Sequence, residues 1–261
     1  MITDTHAHVF WSTFDADREE VLERARAAEV SRMVVVGTNL ETSRAAFELC
    51  RGRVGLFPTA GVHPHDCAEA GAEDYAAIAE LARERACVGV GETGLDLFKE
   101  YSPRERQAES FRWHLALARE LDKPVIVHCR DAHEPTVELL REFPGVRGVM
   151  HCYTMGPDEL APYLEAGLYI SFSGVVTFPR NEANRAAARA VPEERLLVET
   201  DCPYLAPQGQ RGRRNEPALV RGVLEVLARE RGVGFEQLAR ATSRNAARLF
   251  GLERAEEAPG K

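Results

Sequence analysis

Side chains that can bind metal recur at the ends of short apolar segments in this sequence. The first segment ends in His6-Ala7-His8, and later segments end in Glu92, His128, His151 and Asp201. In a β-strand, residues i and i+2 point to the same face, so the imidazoles of His6 and His8 would project together. We therefore expect four imidazoles and two carboxylates to meet in one pocket.

A pocket of this composition is expensive to bury unless it surrounds metal, because unpaired polar groups lose their hydration. The mixture of imidazole and carboxylate suits Zn, Mn, Fe or Ni, and a more oxygen-rich variant would tolerate Mg. Two cations roughly 3.5–4 Å apart can activate a water, polarise a phosphoryl oxygen and steady the leaving oxygen of an in-line displacement. Asp201 could accept the proton of that water. We expect direct hydrolysis without a covalent intermediate.

The segments that carry these residues alternate with segments of helical period. Several are bare Val, Ile and Leu runs, which are typical of parallel strands covered by helices. The predicted strands are Met1–His8, Met33–Thr38, Val54–Val62, Val88–Gly94, Pro124–His128, Gly148–Tyr153, Leu168–Ser173 and Leu196–Asp201. The predicted helices are Arg18–Glu29, Thr42–Cys50, Asp74–Glu84, Pro103–Leu121, Glu134–Glu142, Pro157–Ala166, Asn181–Arg189, Glu216–Arg231 and Phe235–Phe250.

This alternation predicts an α/β fold, a single-domain (β/α)8 TIM barrel, whose active site would lie at the carboxyl ends of the strands. An open doubly wound sheet is the competing fold, but no Gly-rich phosphate loop follows the first strand. We expect residues 1–252 to form the barrel and residues 253–261, rich in Glu, Ala, Pro and Gly, to form a flexible tail.

Composition narrows the functional classes. The 261 residues include 33 Lys and Arg against 41 Asp and Glu, a formal net charge of −8, which counts against a protein that coats DNA electrostatically. With 44% hydrophobic residues the chain can bury a core, yet its apolar runs are too short to span a bilayer. The start lacks a secretory pattern, and the six cysteines contain no C-x-x-C pair. We expect a cytoplasmic protein without membrane contact, either a monomer or a weak oligomer.

Seven motifs occur between Met1 and about Leu252. They are His6-Ala7-His8, Gly61-Val62-His63-Pro64-His65, Gly91-Glu92-Thr93-Gly94-Leu95-Asp96, His128-Cys129-Arg130-Asp131-Ala132, His151-Cys152-Tyr153, Glu199-Thr200-Asp201-Cys202-Pro203-Tyr204-Leu205 and Arg211-Gly212-Arg213-Arg214-Asn215-Glu216-Pro217. In type and order they resemble the motifs of the TatD family of metal-dependent hydrolases. The resemblance implies a barrel with two divalent metal ions, Mg, Mn or Zn, and the metal-dependent DNase activity of several members.

The resemblance also implies a role for each ligand. It places His6, His8 and Asp201 on one metal. His128 and His151 would hold the second metal. Glu92 would bridge the two, and Asp201 would act as the base toward the attacking water, so that Glu92 and Asp201 are the expected catalytic residues.

Residues near these motifs are candidates for substrate binding. His63 follows the third strand and is favoured for substrate contact. Asp96 could bind substrate or orient a ligand, and Arg130 could contact phosphate or form a salt bridge. Arg211, Arg213 and Arg214 form a cluster after the last strand, where arginine forks would suit phosphate oxygens, although a solvated loop is the alternative.

Other polar residues of these segments are assigned structural roles. Glu199 lies one step deeper than Asp201 and is expected to form buried hydrogen bonds. Strand alternation predicts that the thiols of Cys129, Cys152 and Cys202 point away from the barrel interior. The helical His114 and His133 are expected to lie outside the site.

Two enzyme classes fit the site. The first is a two-metal phosphodiesterase acting on DNA strand ends, such as a 3′–5′ exonuclease. The alternative is an amidohydrolase-like enzyme that cleaves a C–N or C–O bond of a small molecule with the same metals. The arginine cluster favours phosphate, whereas the aromatic content of 7% counts mildly against extended binding of a single strand. A non-enzymatic metal-dependent binding module is disfavoured by the intact ligand set.

Overall fold

Eight parallel strands form the centre of the molecule. The computed structural model describes residues 1–252; the predicted tail lies outside this range. The strands are β1 (Ile2–Ala7), β2 (Val30–Val35), β3 (Leu56–Pro58), β4 (Val90–Asp96), β5 (Val125–Arg130), β6 (Gly148–Met150), β7 (Leu168–Phe172) and β8 (Leu196–Val198).

The strands close into a barrel through two short seams. Regular pairing joins β1 to β3 in one sheet and β4 to β8 in another. A parallel bridge between Ala60 and Val90 connects the two sheets after β3, and a second between Ala7 and Cys202 connects the end of β8 to β1. The predicted (β/α)8 barrel is therefore confirmed.

Helices cover the outside of this barrel. They are α1 (Arg18–Ala27), α2 (Leu40–Cys50), α3 (Ala72–Arg83), α4 (Arg104–Leu121), α5 (His133–Arg141), α6 (Leu160–Glu165), α7 (Glu182–Ala190), α8 (Val220–Arg231) and α9 (Phe235–Phe250). Apolar residues of α9 pack with inward-facing strand residues such as Val34, Ile126 and Leu197. Within the described range, no helix combines the length and apolarity that a bilayer crossing requires.

Strand boundaries differ from the predicted ones where the site is built. β6 ends at Met150 and β8 at Val198, so His151 and Asp201 lie just beyond their strands instead of within them. Cys152 and Asp201 adopt positive φ values of 45° and 56°, which end the extended backbone there. β4 extends further than predicted, to Asp96, because its carboxyl half continues to pair with β5.

Gly94 allows β4 and β5 to approach each other closely beside the site. Its φ is +137°, and in the strand register it pairs with His128. A Cβ at this position would lie 2.0 Å from the carbonyl oxygen of His128, which belongs to the backbone and cannot swing away. Only glycine satisfies both requirements.

We expect Gly94→Ala to lower the free energy of unfolding by about 2–4 kcal/mol, because it adds backbone strain and a steric clash. Gly52→Ala is the matched control. Gly52 also has a positive φ, +71°, but nothing lies within 4 Å of its added Cβ, so we expect a cost of about 1 kcal/mol. Denaturant unfolding of the two variants measures the difference; equal costs would contradict the steric argument.

Candidate active site

Glu92 lies at the centre of the site, and its two carboxylate oxygens face different pairs of histidines. Oε2 lies 3.2 Å from His6 Nε2 and 3.9 Å from His8 Nε2. Oε1 lies 2.9 Å from His151 Nε2 and 3.0 Å from His128 Nδ1. Each oxygen thus belongs to a separate group of donors, which is the arrangement that a bridging carboxylate requires.

Asp201 joins the first of these groups. Its Oδ1 lies 3.4 Å from His8 Nε2 and 3.7 Å from His6 Nε2. The backbone N–H of Asp201 donates to the carbonyl of His6 at 2.9 Å, which fixes the turn after β8 against β1. The structure therefore brings together all six residues that the sequence singled out as metal ligands.

Hydrogen bonds on the far side of the imidazoles set their orientation. His8 Nδ1 donates to the carbonyl of Val36 at 2.8 Å. His151 Nδ1 lies 3.1 Å from Glu199 Oε1, and that oxygen also accepts the N–H of Cys152. Such partners orient ligand imidazoles and raise their basicity. The hydrogen-bonding role predicted for Glu199 is confirmed.

The two central carboxylates are held in their ionised form. Burial alone would raise the pKa of Glu92, but its interactions with the imidazoles of His151, His63 and His6 outweigh burial and hold this pKa well below its usual value. Burial also opposes ionisation of Asp201, yet a hydrogen bond with His8 and the nearby imidazoles lower its pKa. Two ionised carboxylates among imidazole nitrogens form a donor set suited to a cation.

A cavity of about 720 Å³ opens over this centre. Among the predicted substrate-binding residues, His63, Asp96 and Arg130 line it. His63 Nε2 lies 3.5 Å from Glu92 Oε1, and burial lowers the pKa of His63 to about 4, so its imidazole is neutral near neutral pH.

The carboxylate of Asp96 is occupied by protein groups. Its Oδ1 accepts the N–H groups of Phe98 and Lys99 at 3.0 and 2.9 Å. Its Oδ2 lies 2.7 Å from His65 Nε2 and 3.3 Å from His128 Nε2. Of the two roles left open by the sequence, this geometry supports orientation of a ligand, His128, over direct contact with substrate.

The arginine cluster lies outside the lining of the cavity. Arg214 donates to both carboxylate oxygens of Asp17, at 2.8 and 2.6 Å, and its guanidinium lies over the ring of Phe14. The guanidinium of Arg211 lies 4.6 Å from the centre of the Phe178 ring. Arg213 contacts Gln210 of its own loop. Substrate contact by these three arginines stays a prediction.

Sequence reasoning assigned no role to several residues that line the cavity. His65 binds Asp96, and Trp11 and Tyr204 flank the opening. Trp11 follows His8 by three residues, and Tyr204 follows Asp201 by three. Their position just after a ligand-bearing strand was the available signal, since all such residues end on the same rim of a barrel.

The cysteines and the two helical histidines divide as follows. Among the predicted outward thiols, Cys129 contacts Thr136 of α5, and Cys202 is fully buried. Both Cys129 and Cys152 belong to the lining of the cavity, and the thiol of Cys152 lies 3.2 Å from Ser173 Oγ. All six thiols are free. His133 and His114 lie outside the lining, as predicted.

A family model described as TatD related DNase matches residues 3–251 of this chain. The chain belongs to the TatD family. The predicted resemblance is confirmed, and the protein is a metal-dependent hydrolase of this family.

Proteins of similar sequence and structure match this chain over nearly its whole length. An uncharacterized metal-dependent hydrolase of Bacillus subtilis, YabD, is 41% identical over 252 residues, covering 96% of this chain and 99% of YabD. A protein of Cronobacter sakazakii named 3′-5′ ssDNA/RNA exonuclease TatD is 40% identical over 256 residues, covering 95% and 97% of the two chains. The crystal structure of the Escherichia coli TatD homologue YjjV superposes with a TM-score of 0.90 at 29% identity, covering 96% of this chain and 98% of that one.

His114 supports the His63 loop of this TatD-family protein from beneath. Its Nε2 accepts the N–H of Val62 at 3.0 Å, so its Nδ1 carries the proton and donates to the carbonyl of Ser110 at 2.7 Å. Burial lowers the pKa of His114 to about 4. Protonation would place a second N–H against that of Val62.

Because the folded pKa of His114 lies below its unfolded value, the protein loses stability as the pH falls below the unfolded pKa. As the pH falls from about 7.5 to about 5, we expect protonation of this residue in the unfolded chain to lower the free energy of unfolding by about 2 kcal/mol. The glutamine of His114→Gln can keep both hydrogen bonds and does not titrate. Over the same pH change, the free energy of unfolding of this variant should fall by about 2 kcal/mol less than that of the parent protein. Denaturant unfolding at both pH values tests this; parallel losses would contradict it.

Proposed function

We propose that this TatD-family protein is a cytoplasmic 3′–5′ exonuclease that hydrolyses terminal phosphodiester bonds of single-stranded nucleic acid, with DNA as the main substrate. The observation that carries the proposal is Glu92, whose two oxygens face two separate sets of ligand atoms. The exonuclease name of the Cronobacter relative supports the choice of substrate.

In this proposal His6, His8 and Asp201 would hold one divalent ion, His128 and His151 would hold the second, and Glu92 would contribute to both. The donor atoms fit such ions. One ligand atom each from His6, His8 and Glu92 lie within 4.8 Å of one another. For the second ion, Glu92 Oε1 lies 2.9 Å from His151 Nε2 and 3.0 Å from His128 Nδ1. Divalent ions at such a site acidify water and offset the charge of the phosphoryl group.

The side chains of the protein then have distinct tasks. Asp201 is ionised and its side chain is 14% exposed, so it can accept the proton of the attacking water. His63 Nδ1 accepts the N–H of His65 at 3.1 Å, so the neutral imidazole carries its proton on Nε2. That N–H can donate to a phosphoryl oxygen. Arg130 lines the same cavity and offers a charged donor to the phosphate.

The decisive assay uses purified protein with added Mg, Mn or Zn and 3′- and 5′-end-labelled DNA, single- and double-stranded. We expect stepwise release of mononucleotides from free 3′ ends, loss of activity with a chelator and protection by a blocked 3′ end. Glu92→Ala should lower metal occupancy and reduce activity at least about 100-fold with an unchanged circular dichroism spectrum. Turnover of a phosphate-free ester, lactone or amide without cleavage of DNA would favour the amidohydrolase-like alternative instead.

Glu199 provides a second test of the ligand assignment. Glu199 contacts His151 Nδ1 and does not line the cavity. Glu199→Gln should therefore weaken metal binding about 10–100-fold while leaving the fold intact. The exposed neighbour Glu194, which lies just before β8, gives the matched control Glu194→Gln. Calorimetric metal titration of both variants measures the effect. Identical affinities would remove Glu199 from the support of the metal site.

A further inference from the structure

Exposed aromatic rings are concentrated at the mouth of the cavity. Five large apolar side chains are exposed in the part of the chain that the structure describes, and three of them are aromatic: Phe98, Tyr101 and Tyr204, at 55%, 66% and 53% exposure. Phe98 and Tyr101 follow β4, which carries Glu92, and Tyr204 follows Asp201 in the turn after β8. An acidic chain with few aromatic residues thus leaves these rings exposed on its catalytic face, where the cost of their hydration is offset only when a ligand covers them.

Tyr204 and Trp11 form one wall of the cavity. Their ring centroids are 5.2 Å apart at an interplanar angle of 80°. Trp11 in turn stacks on His8, a proposed ligand, with centroids 4.8 Å apart and an angle of 18°. The wall therefore extends without a break from the proposed metal centre to the solvent.

The backbone of Tyr204 is held in place although its ring is exposed. Its N–H donates to the carbonyl of Asp201 at 3.0 Å, and its carbonyl accepts Asn215 Nδ2 at 2.6 Å. The same Asn215 group donates to the carbonyl of Thr200 at 2.9 Å. Asn215 is fully buried, so the backbone of Tyr204 keeps a fixed position relative to Asp201, and the edge contact with Trp11 orients its ring. A preorganised ring loses little entropy when a flat group stacks on it.

The second wall combines aromatic rings with cations. The guanidinium of Arg130 lies 4.0 Å from the centre of the Phe98 ring, and Lys99 Nζ lies 5.6 and 5.9 Å from the rings of Phe98 and Tyr101. The ring of Tyr101 contacts that of His65, which lines the cavity. Aromatic rings beside positive groups match the alternating bases and phosphates of a single strand.

The two walls lie on opposite sides of the barrel mouth. Trp11 and Tyr204 follow β1 and β8, which are neighbours, whereas the second wall follows β4 and β5. In a closed barrel of eight strands these pairs are half a turn apart. A single strand of nucleic acid that passes from one wall to the other must cross the proposed metal centre.

We propose that the two walls form a nucleobase-binding cleft, in which a base next to the scissile phosphate stacks on Tyr204 and Trp11 and the neighbouring part of the strand lies against Phe98, Tyr101, Lys99 and Arg130. The proposal rests on the proposed nuclease function, since it identifies the bases of single-stranded nucleic acid as the groups that the cleft recognises. Recognition by stacking is tolerant of sequence, so this cleft selects unpaired bases and not a particular base.

Tryptophan fluorescence gives a direct test, because the chain contains two tryptophans, Trp11 and Trp113. In a Trp113→Phe background Trp11 is the sole reporter. The ligand is a nuclease-resistant phosphorothioate oligonucleotide with Mg present, and a second oligonucleotide lacks the bases of its 3′-terminal residues. The variants are Tyr204→Ala, Tyr204→Phe and, as a surface control at the amino end of the barrel, Val54→Ala, whose side chain is 91% exposed.

We expect the oligonucleotide with bases to quench Trp11, and Tyr204→Ala to weaken its binding about 5–150-fold, the equivalent of one stacked base. Tyr204→Phe should bind within about twofold of the parent, since the ring is kept, and Val54→Ala should match it. The oligonucleotide without terminal bases should bind parent and Tyr204→Ala equally. Three results would each contradict the proposed cleft: absence of quenching, equal binding of the two oligonucleotides by the parent, or unchanged binding by Tyr204→Ala.

Hydrolysis of the natural oligonucleotide, measured in parallel, separates this proposal from the proposed function. Binding that depends on Tyr204 without hydrolysis under any metal would overturn the exonuclease and support the cleft. Normal hydrolysis with unchanged binding by Tyr204→Ala would support the exonuclease and overturn the cleft.

Discussion

The structure depends on one buried carboxylate that is reached from two sides. Glu92 is 4% exposed, and an isolated charge at that depth would be strongly unfavourable. Four imidazoles surround it, His6 and His8 near one oxygen and His128 and His151 near the other. They come from β1, β5 and the end of β6, so the charge is compensated only when the barrel is closed. The site is therefore complete only in the closed barrel.

Apolar packing, buried hydrogen bonds and the proposed site follow one another along the barrel axis, from the amino end of the strands to the carboxyl end. At the amino end, α9 packs against inward apolar residues of the strands. Beneath the ligands, buried polar groups join neighbouring strands: Asp4 accepts the N–H of Thr200 at 2.9 Å, and Thr5 donates to the carbonyl of Val198 at 3.0 Å. The proposed ligands follow, and the rings and cations of the mouth are outermost. A net charge of −8 is compatible with a nucleic-acid substrate because positive groups and stacking surfaces are needed only at this mouth.

The arginine loop shows that motif residues can serve the site indirectly. The sequence suggested phosphate contacts for Arg211, Arg213 and Arg214. In the structure Arg214 binds Asp17, and the adjacent Asn215 ties the turn after β8 to Tyr204 and Thr200. This loop holds Asp201 and Tyr204 in position. The aromatic content is low at 7%, yet three of the rings, Phe98, Tyr101 and Tyr204, are exposed.

The order of strands and helices, the barrel and the six converging residues can all be predicted from the amino-acid sequence. Hydrophobic periodicity is local, and a ligand-type residue at the end of each of several parallel strands can point only to one rim. Tertiary structure alone decided where β6 and β8 end, which oxygen of Glu92 faces which histidines, and that Asp96 and Glu199 bind imidazoles. It also placed Tyr204 against Trp11, residues 193 positions apart. These features depend on contacts between distant segments, and local spacing contains no information about such contacts.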